Sequence, residues 1–213
     1  DLTRTDATKP FDLETGPLYR FGLVQFDDDD HVLYCTFHHI AFDGWSDRLF
    51  RRELVAAYQA YEQGFVPALS APKIQYADYA AWQRDWLEGE ALETQLAYWR
   101  TKLAHPPVLE LPVDYPRPVV RTHRGARYRF RVPKDTVSGL RDLTRRNGAS
   151  LFMTLLGGFQ TVLAKYAGQG DVVVGTPIAG RVDQDLERLI GFFVNTLVLR
   201  PDLSDSPSIE ALL

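Results

Sequence analysis

Cysteine and methionine are nearly missing from this 213-residue chain, which has one of each. The lone cysteine, Cys35, sits in an apolar run, which rules out an internal disulfide and a cysteine-based metal site. Such usage suits a reducing compartment, and a cytoplasmic protein is expected. Positive charge is also short: Lys and Arg total 24 against 28 Asp and Glu, a formal charge of -4. No basic stripe with interleaved aromatics appears, so nucleic acid is not an expected partner. No apolar run reaches the length needed to span a bilayer, and Asp1-Leu2-Thr3-Arg4-Thr5-Asp6 is too polar for a signal peptide, so neither membrane nor export is expected. Met153 lies deep inside the chain, and Ser208 to Leu213 stop as a helix begins. The chain is therefore expected to be a piece of a longer protein.

What is present is apolar surface. Hydrophobic residues make up 45% and aromatics 12%, enough to bury a substantial core. Tyr19 to Phe26 and His31 to Phe37 are rich in β-formers, and four aspartates, Asp27 to Asp30, separate them, which predicts a hairpin with a charged turn. After Gly44 the period changes. Leu49, Phe50, Leu54, Tyr58 and Tyr61 fall on one helical face, with Ser46 or Asp47 as the cap and Gly64 at the end. Helices are predicted over 76–87 and 90–103, stopped by His105-Pro106-Pro107. Residues 105–123 hold the densest proline cluster, read as a linker between two lobes.

Beyond it, Tyr128, Phe130 and Val132 alternate with arginines, which predicts a strand with one wet face. Helices are predicted over 136–147, closed by Gly148, and over 151–167. Strands are predicted over 171–175 and 193–200. Trp82, Trp86 and Trp99 are expected in core or lobe packing. Mixed strands and helices in both halves point to an α/β sandwich, without internal repeats or low-complexity segments.

His38-His39-Ile40-Ala41-Phe42-Asp43-Gly44 is hard to explain by packing alone. A histidine at a strand end titrates near neutrality, and a fixed ring nitrogen can accept a proton from an attacking amine or hold that amine by a hydrogen bond. Asp43, beyond the turn, can anchor an arginine or the loop backbone, and Gly44 supplies freedom for a sharp change of direction. Plainer readings stand beside this one. A histidine after a strand can be a hydrogen-bonded structural residue, and Asp-Gly is a common turn. A zinc site would need further ligands, and His31, His105 and His123 show no ligand spacing, so no metal is expected.

The segment His38 to Gly44 resembles the HHxxxDG signature of the condensation domains of nonribosomal peptide synthetases, and Trp45-Ser46 continues it. Pro10 to Leu13 with Gly16 to Leu18, Ile74 to Gln83, Val174 to Arg181 and Ile190 to Thr196 resemble further segments of that family in the same order. The resemblance implies a two-lobed α/β sandwich of the chloramphenicol-acetyltransferase type. Residues 1–118 would form part of the first lobe and 119–213 part of the second, both incomplete because the family's first and last motifs have no counterpart. It implies an amide-forming acyltransferase with a tunnel between the lobes, so the chain alone is expected to be inactive. His39 would orient or deprotonate the acceptor amine, and His38 would be structural. Asp43 and Gly44 would organise the turn, and Arg181 would be the partner of Asp43. No cofactor would bind directly, since substrates ride on the 4'-phosphopantetheine arms of carrier domains. The implied partners are those carriers and an adjacent adenylation domain. Acyl transfer from coenzyme A and non-catalytic docking of partners are alternatives. Docking relatives lose the second histidine, however, and His39 is present.

Overall fold

The computed structural model describes residues 2–120, 122, 125–205 and 207–213. The chain forms two compact units, Asp1–Thr94 with Pro177–Thr196, and Gln95–Thr176 with Leu197–Leu213.

The first unit opens with a short helix, α1 (Leu2–Thr8), which the sequence reading did not contain. Buried Asp6 fixes it to the hairpin, accepting from Arg20 Nε at 3.2 Å and from Thr36 Oγ1 at 2.7 Å. Arg20 also donates to the carbonyls of Asp6 and Lys9, so one guanidinium satisfies groups that the end of α1 leaves open. The hairpin itself, β1 (Tyr19–Asp27) and β2 (Asp30–Phe37), is antiparallel with Tyr19 opposite Phe37 and Asp27 opposite Asp30. Gly22 faces Tyr34, whose ring takes the place of a side chain there: a Cβ on Gly22 would lie 2.1 Å from Tyr34 Cζ.

Helix α2 (Gly44–Glu62) follows the histidines. Its cap is Asp43, and not Ser46 or Asp47 as expected; the Asp43 carboxylate accepts the Ser46 amide at 2.8 Å. Asp47 sits one turn further in and pairs with Arg51 at 2.9 Å. Phe50 carries the helix onto the hairpin through a cluster with Phe21, Phe37 and Phe42, the last two stacked 3.9 Å apart. Each aromatic pair of this kind adds about 0.5–1.5 kcal/mol beyond area burial. Leu49 is buried, whereas Leu54, Tyr58 and Tyr61, expected on the same face, are exposed. Gly64, at φ 78, takes the left-handed step after the helix.

Helices α3 (Tyr76–Trp86) and α4 (Gly89–Lys102) lie within two residues of their expected bounds. Trp82 and Trp86 are not core residues: they stack on one another at 5.9 Å and remain half-exposed. The first unit's core is instead Tyr79 from α3 with Leu186, Leu189 and Phe193, backed by Ile74. Leu186–Arg188 form a 3-10 turn absent from the sequence reading.

In the second unit, α5 (Lys134–Arg146) and α6 (Leu151–Ala167) lie close to their expected ranges. Ser150 caps α6 through the Met153 amide, and Gly168 ends it at φ 65. Thr144 and Thr154 join the two helices at 2.8 Å between their hydroxyl oxygens. The expected strand at Tyr128 to Val132 does not form. Tyr128 and Phe130 are 87% and 73% exposed, and no described strand lies alongside to satisfy the backbone.

The strand expected over 171–175 is shifted. Asp171 makes only an isolated bridge to Asp202, and the ladder runs between β3 (Val174–Ile178) and β4 (Asn195–Leu199), the latter two residues shorter at its start than expected. Described residues of the proline-rich stretch 105–123 form no helix or strand. Arg121 and His123 lie outside the described residues. The start of that stretch is held in the second unit. Gln169 donates to Val108 O at 2.9 Å and accepts from Glu110 N–H at 3.0 Å. Arg200, paired with Asp171, donates to the carbonyls of Lys102 and Ala104. A last helix, α7 (Ile209–Leu212), packs Leu212 over Gly157 of α6.

Candidate active site

The histidines lie just past β2, where His38 N–H donates to Leu18 O at 2.9 Å and ends the strand pairing. The two rings are used in opposite ways. His38 Nδ1 accepts the Ile40 amide at 3.1 Å, and its ring, part-buried, meets the Phe11 ring edge-on at 5.7 Å. His39 Nδ1 lies 2.6 Å from Phe42 O. A carbonyl oxygen can only accept, so Nδ1 donates, and in the neutral tautomer that this contact selects the lone pair is on Nε2. His39 is exposed, and its ring stands edge-to-face against Phe192 at 5.1 Å.

Behind the histidines, Asp43 and Arg181 form an ion pair, with Arg181 Nη2 3.1 Å from Asp43 Oδ1 and 3.3 Å from Oδ2. Asp43 also accepts the Ser46 amide at 2.8 Å and the Phe193 amide at 3.1 Å. Burial would raise its pKa. The amide hydrogen bonds from Ser46 and Phe193, the Ser46 side chain and the Arg181 charge outweigh that, so the carboxyl titrates below its usual range.

Arg181 Nη1 donates to the carbonyls of Leu186 and Leu189, and its guanidinium lies 4.0 Å from the Phe193 ring centre. Gly180 makes this approach possible. It sits at φ 66, and a Cβ there would lie 2.0 Å from Phe193 O.

Ser46, which the sequence reading used only as a possible cap, completes the arrangement. Its Oγ donates to Gly191 O at 2.9 Å and accepts from Gly191 N–H at 3.0 Å and from Arg181 Nη2 at 3.1 Å. Trp45 Nε1 donates to Glu187 O at 2.9 Å, and Tyr76 Oη donates to Phe192 O at 2.8 Å. The sequence-predicted residues His38, His39, Asp43 and Arg181 are thus brought together. Gly44 does not act as the expected elbow: it opens α2 outside the left-handed region with open space where a Cβ would lie, and nothing in the structure explains the glycine.

Ser46, Tyr76, Phe192 and Phe193 were missed as site residues. Trp45-Ser46 beside the histidine motif, and the aromatics after Gly191, were the available signals. Among the described residues, no three His, Cys, Asp or Glu side chains are grouped to hold a metal, and no helix is long and apolar enough to cross a membrane.

The chain has counterparts among known proteins. The chain is 51% identical over its full length to a linear gramicidin synthase polypeptide of Brevibacillus parabrevis, of which it spans 3%. Among solved structures it is similar to the X-domain from teicoplanin biosynthesis, with TM-score 0.89 and 29% identity over 98% of this chain and 48% of that one. It is also similar to holo-AB3403, a four domain nonribosomal peptide synthetase bound to AMP and glycine, with TM-score 0.83 and 30% identity over 99% of this chain and 16% of that one. The family profile described as Condensation domain matches residues 1–213. On a match that spans every residue, the chain belongs to the condensation domain family of nonribosomal peptide synthetases.

Proposed function

We propose that this chain is the central part of an acyltransferase that forms an amide bond between a carrier-bound donor acyl or peptidyl thioester and a carrier-bound acceptor aminoacyl group. The observation that carries the reading is the 2.6 Å contact of His39 Nδ1 with Phe42 O, which leaves Nε2 of this exposed residue as the acceptor in the neutral ring. Against Nε2 the acceptor's α-amine can place an N–H. Its lone pair then attacks the donor carbonyl, the C–N bond forms, and the C–S bond breaks. The nitrogen gives up one proton and the departing sulfur takes one up, with His39 as the path between them. A neutral amine is already nucleophilic, so orientation carries most of the effect. His38, whose Nδ1 is occupied by the Ile40 amide, supports the loop. Asp43 and Arg181 hold the turn that presents His39.

Both substrates would arrive on 4'-phosphopantetheine arms, with carrier domains and an adenylation domain of the same synthetase as partners and no cofactor held by this chain. In the complete domain the two lobes would divide at 118/119. A cytoplasmic setting fits the lone Cys35, whose thiol is pushed up in pKa by burial and so stays protonated. The test is amide formation between loaded donor and acceptor carriers, read by mass spectrometry, using the polypeptide that carries this domain. Product from the unaltered protein and its loss in His39→Ala support the reading. Undiminished product from His39→Ala overturns it.

A further inference from the structure

One hydrogen bond at Nδ1 leaves an imidazole free to pivot about that contact. For His39 the second restraint is the Phe192 ring, edge-to-face at 5.1 Å and 79°. Phe192 lies in the segment Gly191 to Phe193 just before β4, outside the ladder, so its place depends on side chains that hold its backbone. Ser46 takes both polar groups of Gly191, and Asp43 takes the Phe193 amide. The carbonyl of Phe192 itself is held by the Tyr76 hydroxyl at 2.8 Å.

Tyr76 is well placed to be a fixed point. It is the first residue of α3, next to Gln75, whose amide donates to Asp78 Oδ2 at 2.7 Å. Its ring seats on Gly191, where a Cβ would lie 2.3 Å from Tyr76 Cδ2, and it meets the Phe193 ring edge-on at 5.1 Å. A phenylalanine could make those ring contacts equally well. The hydroxyl adds one thing, the bond to Phe192 O.

We propose that Tyr76 is a positioning residue: through Phe192 O its hydroxyl fixes the aromatic wall that holds the His39 ring on its Nδ1 hydrogen bond. The inference rests on His39 being the ring that meets the acceptor amine. A small angular error at such a group costs rate more than affinity.

The experiment measures carrier-to-carrier amide formation and thermal unfolding for Tyr76→Phe, Phe192→Leu and His39→Ala in the polypeptide that carries this domain. Tyr76→Phe lowers kcat about tenfold, with KM for the loaded acceptor carrier and the melting midpoint little changed. Phe192→Leu gives the same kcat signature and carries the test if Tyr76→Phe fails to fold. Wild-type kcat in either folded variant overturns the inference, as does a kcat loss that only tracks a lower melting midpoint. If His39→Ala is inactive while Tyr76→Phe keeps full kcat, the positioning role alone fails. If His39→Ala keeps full kcat, the proposed function fails and takes this inference with it.

Discussion

Asp43 and Arg181 stand 138 residues apart in sequence and meet at 3.1 Å, with side chains 0% and 1% exposed. Charges so fully removed from water depend on the contacts they make, the more so here because Arg181 Nε is buried without a hydrogen-bond partner among the described residues. Asp43 is also the cap of α2, so one carboxylate starts the helix after the histidines and ties it to the segment carrying Phe192 and Phe193. The turn that presents His39 is therefore held by a contact that is long-range in sequence.

Removing either partner strands the other charge. Asp43→Ala and Arg181→Ala should each cost about 3–5 kcal/mol. The double variant should cost less than their sum by about 1 kcal/mol or more. Denaturant unfolding of the four proteins checks this, and strict additivity would contradict it.

The same pair sets an acid limit. The folded pKa of Asp43 lies below the unfolded value of about 3.9, so its stabilisation is fully present above that value and is lost as pH falls through the folded pKa. The gap in melting midpoint between wild type and Asp43→Asn should be constant near neutrality and shrink below about pH 4. A gap unchanged down to acid-induced unfolding would show that Asp43 is not the titrating group.

Glycines divide by surroundings. At Gly180, φ 66 and the Phe193 carbonyl both oppose a side chain, so Gly180→Ala should destabilise by about 2 kcal/mol or more. Gly139, exposed inside α5 with open space around it, should gain about 0.5–1 kcal/mol on Gly139→Ala. Melting midpoints moving in opposite directions check the pair.

The hairpin and α2 to α6 were legible because local patterns carry them: β-formers on either side of the aspartates between Tyr19 and Phe37, helical spacing from Leu49, proline after Leu103. Residues 38, 39, 43 and 181 were singled out by resemblance to the HHxxxDG family, because spacing alone left the histidine motif open to structural readings. The failures share a cause. Tyr128 to Val132 alternates like a strand, but alternation supplies no partner backbone. The fixing of α1 by Arg20, the bonds of Ser46 to Gly191 and the bond of Tyr76 to Phe192 join segments remote in sequence, and no local spacing encodes them. The identity of the α2 cap turned on which of three neighbouring side chains reaches the Ser46 amide, a choice the Asp43 backbone settles by its extended φ −112 and ψ 179.

Adjacent rings divide the labour, which the turnover and melting midpoint of His39→Ala and His38→Ala, measured side by side, put to the test. His39→Ala should fold normally and lose amide formation by about 10²-fold or more. His38→Ala, which loses the acceptor for the Ile40 amide and the contact with Phe11, should show a lowered melting midpoint. A well-folded but inactive His38→Ala beside an active His39→Ala would contradict the account.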